Sequence, residues 1–225
     1  MLSSRTRSSI LALLLLLLAA GIVAGVGRNA PSSAPDTYLD VIGTWDASAD
    51  ARIREHRTDS LVDAARALDV VGGAIVTVPL RIGILLLFAA FRRFSGFFAF
   101  AATWAISAPA TEGLKTWLHR GRPPGALVEM SSFAMPSGHT IAITSIGVAA
   151  AIALATGWWR GGLVLLAILA GAVMGASRMV LSAHWLSDVV VGVLFGAGVA
   201  IASAVLVDLA ADQIPERRSI SRAPG

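Results

Sequence analysis

The sequence predicts an all-α integral membrane protein: a six-helix transmembrane bundle with short amphipathic helices in the first extracytoplasmic loop. Three observations predict it. Of 225 residues, 56% are hydrophobic and only 14% charged, with a mean hydropathy of +0.73, whereas roughly a quarter of an ordinary soluble domain is charged. Long apolar runs recur along the chain, divided by short polar breaks. The ionisable side chains collect at the ends of those runs, where placing them costs free energy that function offsets. The length suits a single domain, residues 1–225.

Composition excludes several chemistries. There is no cysteine, so disulfides, thiolate catalysis and thiolate zinc sites are ruled out. Net charge is +4, from 17 Arg and one Lys against 14 acidic residues. The Arg residues are scattered and form no basic tract, so nucleic acid is not expected as a partner.

The first span is expected over 10–26, after Arg5 and Arg7. A leucine-rich core behind a basic start also fits a cleaved signal peptide, but the run is long for one. Residues 28–67 form the long polar loop. Ala30 to Pro35 reads as a linker. Tyr38, Leu39, Ile42 and Trp45 fall at helical spacing, as do Leu61, Val62, Ala65 and Leu68. Both sets read as amphipathic helices lying on the membrane or on the bundle. Arg52, Arg54, His56 and Arg57 read as a solvated face.

The second span, 70–91, contains Pro79 and Arg81, and Arg92-Arg93 ends it. Arg81 is expected to have a structural partner or to help hold an anionic head group. The third, 94–113, ends beside Glu112 and Lys115, three residues apart and able to pair on one helix face. Spans at 140–156, 162–180 and 185–209 follow, with a turn at Trp158-Trp159-Arg160 and a flexible tail over 213–225. Gly171 and Gly175, then Gly192 and Gly196, are four apart, a spacing that lets helices approach closely. With six spans both termini share a side. Arg5, Arg7, Arg92, Arg93, Arg160, Arg217, Arg218 and Arg222 fall there, against Lys115, Arg120, Arg122 and Arg178 in the short loops opposite and five Arg in the long one. The positive-inside rule then puts the termini in the cytoplasm and the motifs outside, in a plasma-membrane protein.

Two His, one Asp and three cations gather at the ends of spans three to six. These residue types suit phosphoryl transfer, whose transition state spreads negative charge over the equatorial oxygens. Lys115, Arg122 and Arg178 supply positive charge, and the Arg fork matches two phosphate oxygens. Pro136-Ser137-Gly138-His139 opens a helix. Its free amides, with the Ser137 hydroxyl and the close approach Gly138 allows, suit an anion. His184 and Asp188, four apart, share a helix face. A carboxylate on Nδ1 leaves Nε2 free as a nucleophile, and His139 is then the acid and base. Activity through a neutral His184 and a protonated His139 is bell-shaped in pH. As alternatives, His139, His184 and Asp188 could ligate a metal, which three neighbouring cations would repel, or the pieces could be plain turns and surface pairs.

At these residues the chain resembles the type 2 phosphatidic acid phosphatase family, whose site is shared with vanadium haloperoxidases. The family's signature is Lys, six residues, Arg-Pro; Pro-Ser-Gly-His; and Ser-Arg, five residues, His, three residues, Asp. Lys115, Arg122 and Pro123 fill the first part, Pro136 to His139 the second, and Ser177, Arg178, His184 and Asp188 the third. The resemblance implies His184 as nucleophile, Asp188 as its orienter, His139 as acid/base, and Lys115, Arg122, Arg178, Ser137 and Gly138 as phosphate binders. It also implies no metal, no cofactor and an extracytoplasmic site. His119 lies in the variable stretch and is read as a loop residue. The expected activity is hydrolysis of a lipid phosphate or diphosphate, such as a polyprenyl diphosphate or phosphatidic acid, drawn from the bilayer. A phosphoryl transferase using a lipid or sugar acceptor, or a non-catalytic lipid-phosphate-binding protein, is the alternative. The sequence leaves the substrate and the oligomeric state open.

Overall fold

The computed structural model describes residues 3–27 and 40–213. The expected linker, Tyr38 and Leu39, and the tail beyond Gln213 lie outside them. Among the described residues the chain is entirely helix and loop. Its eight helices are α1 (Ser4–Gly27), α2 (Asp40–Glu55), α3 (Asp59–Gly72), α4 (Ala74–Ala90), α5 (Phe94–Leu118), α6 (Gly138–Leu154), α7 (Gly157–Val180) and α8 (Leu186–Ala211).

Helices α1, α7 and α8 are each long and apolar enough to cross a membrane, and α3 with α4 passes the same test as a pair bent by 44°. The protein is multi-pass. Leu13, Leu14, Leu17 and Leu18 on α1 and Leu165, Leu166, Leu169 and Val173 on α7 face outward, the surface a bilayer covers. The six expected spans map less evenly onto these helices. α6 is 17 residues long, at the short limit for a crossing. α5 runs through Pro109 and Gly113 to Leu118, so Lys115 belongs to the helix and does not follow it. The second span, expected as one run over 70–91, is broken at Gly73 between α3 and α4, and Pro79 stays within α4. Trp158-Trp159-Arg160 belongs to the first turn of α7 and is not a loop, because the helix starts at Gly157, which takes a left-handed φ of 57°, five residues before the expected span.

α6 lies between α7 and α8, and glycine makes this possible. A Cβ on Gly171 would strike Thr144, and one on Gly192 would stand 2.9 Å from the Thr140 Cβ. Gly196 likewise lies against Ile141 and Thr144. α1 packs along α8, with Leu16 over Gly198, and its Ala19 and Val23 bury against Met135 and Val191. Phe88 of α4 meets Phe100 of α5 edge-on at 6.1 Å, a pair worth about 1 kcal/mol beyond its buried area.

The two loop helices cap the end of the bundle that carries the motifs. α3 starts at Thr58, whose hydroxyl accepts from the Leu61 N–H. It buries Ala65 against Leu181 and Ala183, so it rests on the protein. α2 inverts its expected orientation: Trp45 is 63% exposed and Asp46 only 3%. Asp46 accepts from the Ser187 N–H at 2.8 Å, the Ser187 hydroxyl at 2.7 Å and Arg120 at 2.5 Å. A buried carboxylate with three donors outweighs one exposed aromatic ring. Arg52 and His56 are exposed as expected, but Arg57 donates to Ser182 at 2.7 Å and Arg54 to the Pro124 carbonyl, tying α2 to the loops.

Candidate active site

α5 ends because His119 takes a left-handed φ of 48°, the turn-off that usually falls to glycine. The chain then crosses the mouth of the bundle and enters α6 through Pro136 and Ser137. α7 ends at Val180, and a tight turn through Ser182 brings His184 back over α6. These three chain reversals bring the three motifs to one end of the bundle.

A cavity of about 400 Å³ opens there, and Lys115, Gly138, His139 and His184 line it. His184 is buried, in the turn ahead of α8. Its Nε2 lies 3.4 Å from an Arg122 nitrogen. Its Nδ1 lies 3.4 Å from Asp188 Oδ2, a contact longer than a good hydrogen bond. The reason is that Asp188 is already occupied. Oδ2 accepts the Trp185 N–H at 2.9 Å, closing the start of α8, and Oδ1 is paired with Arg120. Burial pushes His184 below its ordinary pKa, with Arg122 and Arg178 adding to the effect and Asp188 opposing it. The imidazole is thereby held neutral.

Each cation also has a protein partner. Lys115 donates to Glu112 at 3.1 Å, the pairing expected from their spacing. Arg122 donates to the Ser132 carbonyl at 2.9 Å, the Phe133 carbonyl at 3.0 Å and the Ala183 carbonyl, joining the α5–α6 loop to the turn that carries His184. Arg178 is fully buried and pairs with Asp69. Arg122 and Arg178 stand behind the cavity wall, and Lys115 lies on it, as does Arg81 on α4. Gly138 lies beside Lys115: a Cβ there would stand 3.6 Å from Lys115 Nζ, an ordinary contact. Ser137 departs from its expected setting. It is fully buried at the N-cap of α6 but its hydroxyl makes no capping bond, accepting instead from Thr140 at 2.9 Å. Its N–H donates to the Asp188 carbonyl at 3.2 Å, which locks the second motif to the third. His119 is an exposed loop residue, its ring edge-on to Phe133.

The model of the PAP2 superfamily matches residues 96–211, more than half of the sequence. The chain belongs to this superfamily. The PAP2 fold is shared with solved structures. A transmembrane PAP2-type phosphatidylglycerolphosphate phosphatase from Bacillus subtilis superposes with a TM-score of 0.72 at 20% identity, over 90% of this chain and 96% of that one. LpxE of Aquifex aeolicus superposes with a TM-score of 0.56 at 21% identity, over 70% of this chain and 93% of that one. No curated protein sequence matches.

Two acids that the motifs do not contain complete this PAP2 site. Asp69, at the end of α3, stands 3.0 Å from His139 Nε2 and pairs with Arg178, so one carboxylate bridges the second and third motifs. Gly72 lets α3 come this close, since a Cβ there would lie 2.7 Å from the His139 ring. Asp46 with Arg120 braces Asp188 from the other side. Asp46 sits in the polar loop and Asp69 two residues beyond its end, both away from any motif. Their signal in the sequence was only an acid on an otherwise amphipathic helix.

Proposed function

We propose that this PAP2 protein is a lipid phosphate phosphatase that works through a phosphohistidine at His184. The single observation that carries the reading is the position of His184 Nε2, on the cavity wall beside Arg122, with Lys115, Gly138 and His139 around the same space. His184 Nε2 attacks phosphorus, the phosphorus–oxygen bond to the lipid breaks, and His139 gives its proton to the departing alkoxide. Water then attacks the phosphohistidine, His139 takes the water's proton, the phosphorus–nitrogen bond breaks and inorganic phosphate leaves. Lys115, Arg122, Arg178 and the amides at the start of α6 stabilise the equatorial oxygens, and Asp188 orients His184 and steadies its positive charge.

In this reading the reaction runs without metal, because His184 is the nucleophile and the charge of the transferring group is met by Lys115, Arg122 and Arg178. The whole chain acts as one membrane-embedded domain with six crossings, taking a lipid monophosphate or diphosphate at head-group depth on the extracytoplasmic side.

The test is phosphate release by detergent-purified protein in EDTA from phosphatidic acid, phosphatidylglycerolphosphate, diacylglycerol pyrophosphate and a polyprenyl diphosphate. Release from at least one lipid is expected. His184→Ala should abolish it, and His139→Ala should lower it about a hundred- to ten-thousand-fold. Activity that vanishes in EDTA and returns with a divalent cation overturns the metal-free mechanism, and an active His184→Ala overturns the phosphohistidine.

A further inference from the structure

His139 lines the cavity from the first turn of α6, and its two ring nitrogens have different surroundings. Nε2 lies 3.0 Å from Asp69 Oδ1 and 3.1 Å from the Asp69 backbone carbonyl oxygen. Nδ1 has no partner among the described residues. Both oxygens on Nε2 can only accept, so Nε2 carries a proton. In the neutral ring Nδ1 is then the basic nitrogen, and it is the one left to exchange protons with substrate and water.

The end of α3 sets Asp69 against this nitrogen. Gly72 and Gly73 follow it: a Cβ on Gly72 would stand 2.7 Å from His139 Cδ2, and one on Gly73 3.2 Å from the Asp69 carbonyl oxygen. The carboxylate is shared, since Oδ1 also pairs with the fully buried Arg178. Of the charged groups around His139, Arg178 on α7 and His184 ahead of α8 oppose its protonation, and Asp69 on α3 favours it. Lys115 and Glu112 on α5 and Arg81 on α4 line the same cavity. Burial and Arg178 prevail and push His139 down to about 4. A phosphate dianion on Arg178 offsets the opposing charge and leaves the Asp69 carboxylate to His139. Substrate binding thus raises the proton affinity of the acid that the next step needs.

We propose that Asp69 is the positioning residue of His139: it holds the Nε2–H tautomer, makes Nδ1 the acid and base atom, and, shared between His139 and Arg178, couples phosphate binding to protonation of His139. The proposal rests on the phosphatase reading and concerns its proton transfers. As the phosphorus–oxygen bond to the lipid breaks, Nδ1–H gives its proton to the alkoxide oxygen, and the ring is left neutral with Nε2–H on Asp69. Nδ1 then takes a proton from the water that attacks the phosphohistidine. The arrangement is the inverse of His184, where Asp188 faces Nδ1 and Nε2 is the reactive atom.

The test is the pH profile of kcat for wild type, Asp69→Asn and Asp69→Glu on the lipid that wild type cleaves fastest. The alkaline limb of kcat follows loss of the His139 proton in the enzyme–substrate complex. Asp69→Asn should move that limb to lower pH by about one unit, so that kcat above it falls about tenfold. KM should stay the same or fall, because Arg178 loses a competing carboxylate. Asp69→Glu keeps the charge and should restore the limb. A limb that Asp69→Asn leaves in place, with kcat lowered equally at every pH, makes Asp69 a structural tie and overturns the proposal. If wild type cleaves no lipid, the phosphatase reading fails, and anion binding still decides the coupling. Sulfate, a dianion that does not itself titrate here, should bind wild type more tightly as pH falls from about 8 to about 5. Asp69→Asn should flatten that dependence, but should not alter it in His139→Gln protein. A dependence indifferent to Asp69, or equally sensitive to it once His139 is replaced, overturns the coupling.

Discussion

His184 is where burial and charge oppose each other. Its Nδ1 faces Asp188, which favours a protonated ring, but burial and two guanidinium groups favour the neutral one and prevail. The shift is downward from the ordinary value of about 6.5. A nucleophile must be neutral, so lowering its pKa extends activity to more acid pH. The acid limb of kcat/KM, which reports the free enzyme, should therefore fall below about pH 6.5. A pH profile in detergent measures it, and a limb at or above that value would contradict the proposed role. Unfolding has to be followed in parallel, because the unfolded chain takes up the proton first. Stability therefore also declines as pH drops below about 6.5. Asp69 stands outside the motifs yet touches two of their members, so its carboxylate couples α3 to the chemistry.

Among the helices, α6 is the element on which the geometry depends. It carries His139, and its contact with α7 requires glycine at 171. Gly171→Val would push a side chain into Thr144, and overpacking of this kind costs about 1–3 kcal/mol. The expected outcome is a lower unfolding temperature in detergent together with weaker activity, because His139 moves relative to Arg178. Gly161→Ala on the same helix, where nothing lies within 4 Å of the new Cβ, should be neutral or slightly stabilising. Equal behaviour of the two variants would refute the packing account. The glycine pairs and the apolar runs were legible in the sequence because each obeys a helical period, and the motifs because they fill a family signature. The exposure of Trp45, the burial of Asp46 and the bridge from Asp69 were not. They depend on Arg120, Ser187 and Arg178, which lie 74, 141 and 109 positions away, and no local pattern records a partner at that distance. The early start of α7 and the extension of α5 to Leu118 likewise turn on single residues with left-handed φ, Gly157 and His119.

For the whole molecule, sidedness decides which pool of phosphate the site meets. Arg5 of α1 pairs with Asp212 just after α8, so the two ends of the described chain meet at the end of the bundle opposite the cavity. Arg92 and Arg93 are exposed on the α4–α5 turn, and Arg160 lines a pocket with Arg5 and Asp208. At the motif end Lys115, Arg120, Arg122 and Arg178 are bound to carboxylates or carbonyls and serve the site. Counted over the short loops, the basic residues at the end opposite the cavity are the ones that cytoplasmic retention would favour. The absence of native cysteine makes this directly measurable with single introduced thiols and a membrane-impermeant maleimide. Glu129→Cys, in the exposed loop before α6, should label in intact cells, whereas Arg93→Cys should label only after permeabilisation. The reverse pattern would turn the protein over and place its active site in the cytoplasm, where the substrate would have to come from the inner leaflet. Labelling of both in intact cells would put the two loops on one side and refute the crossing expected of α5 between them.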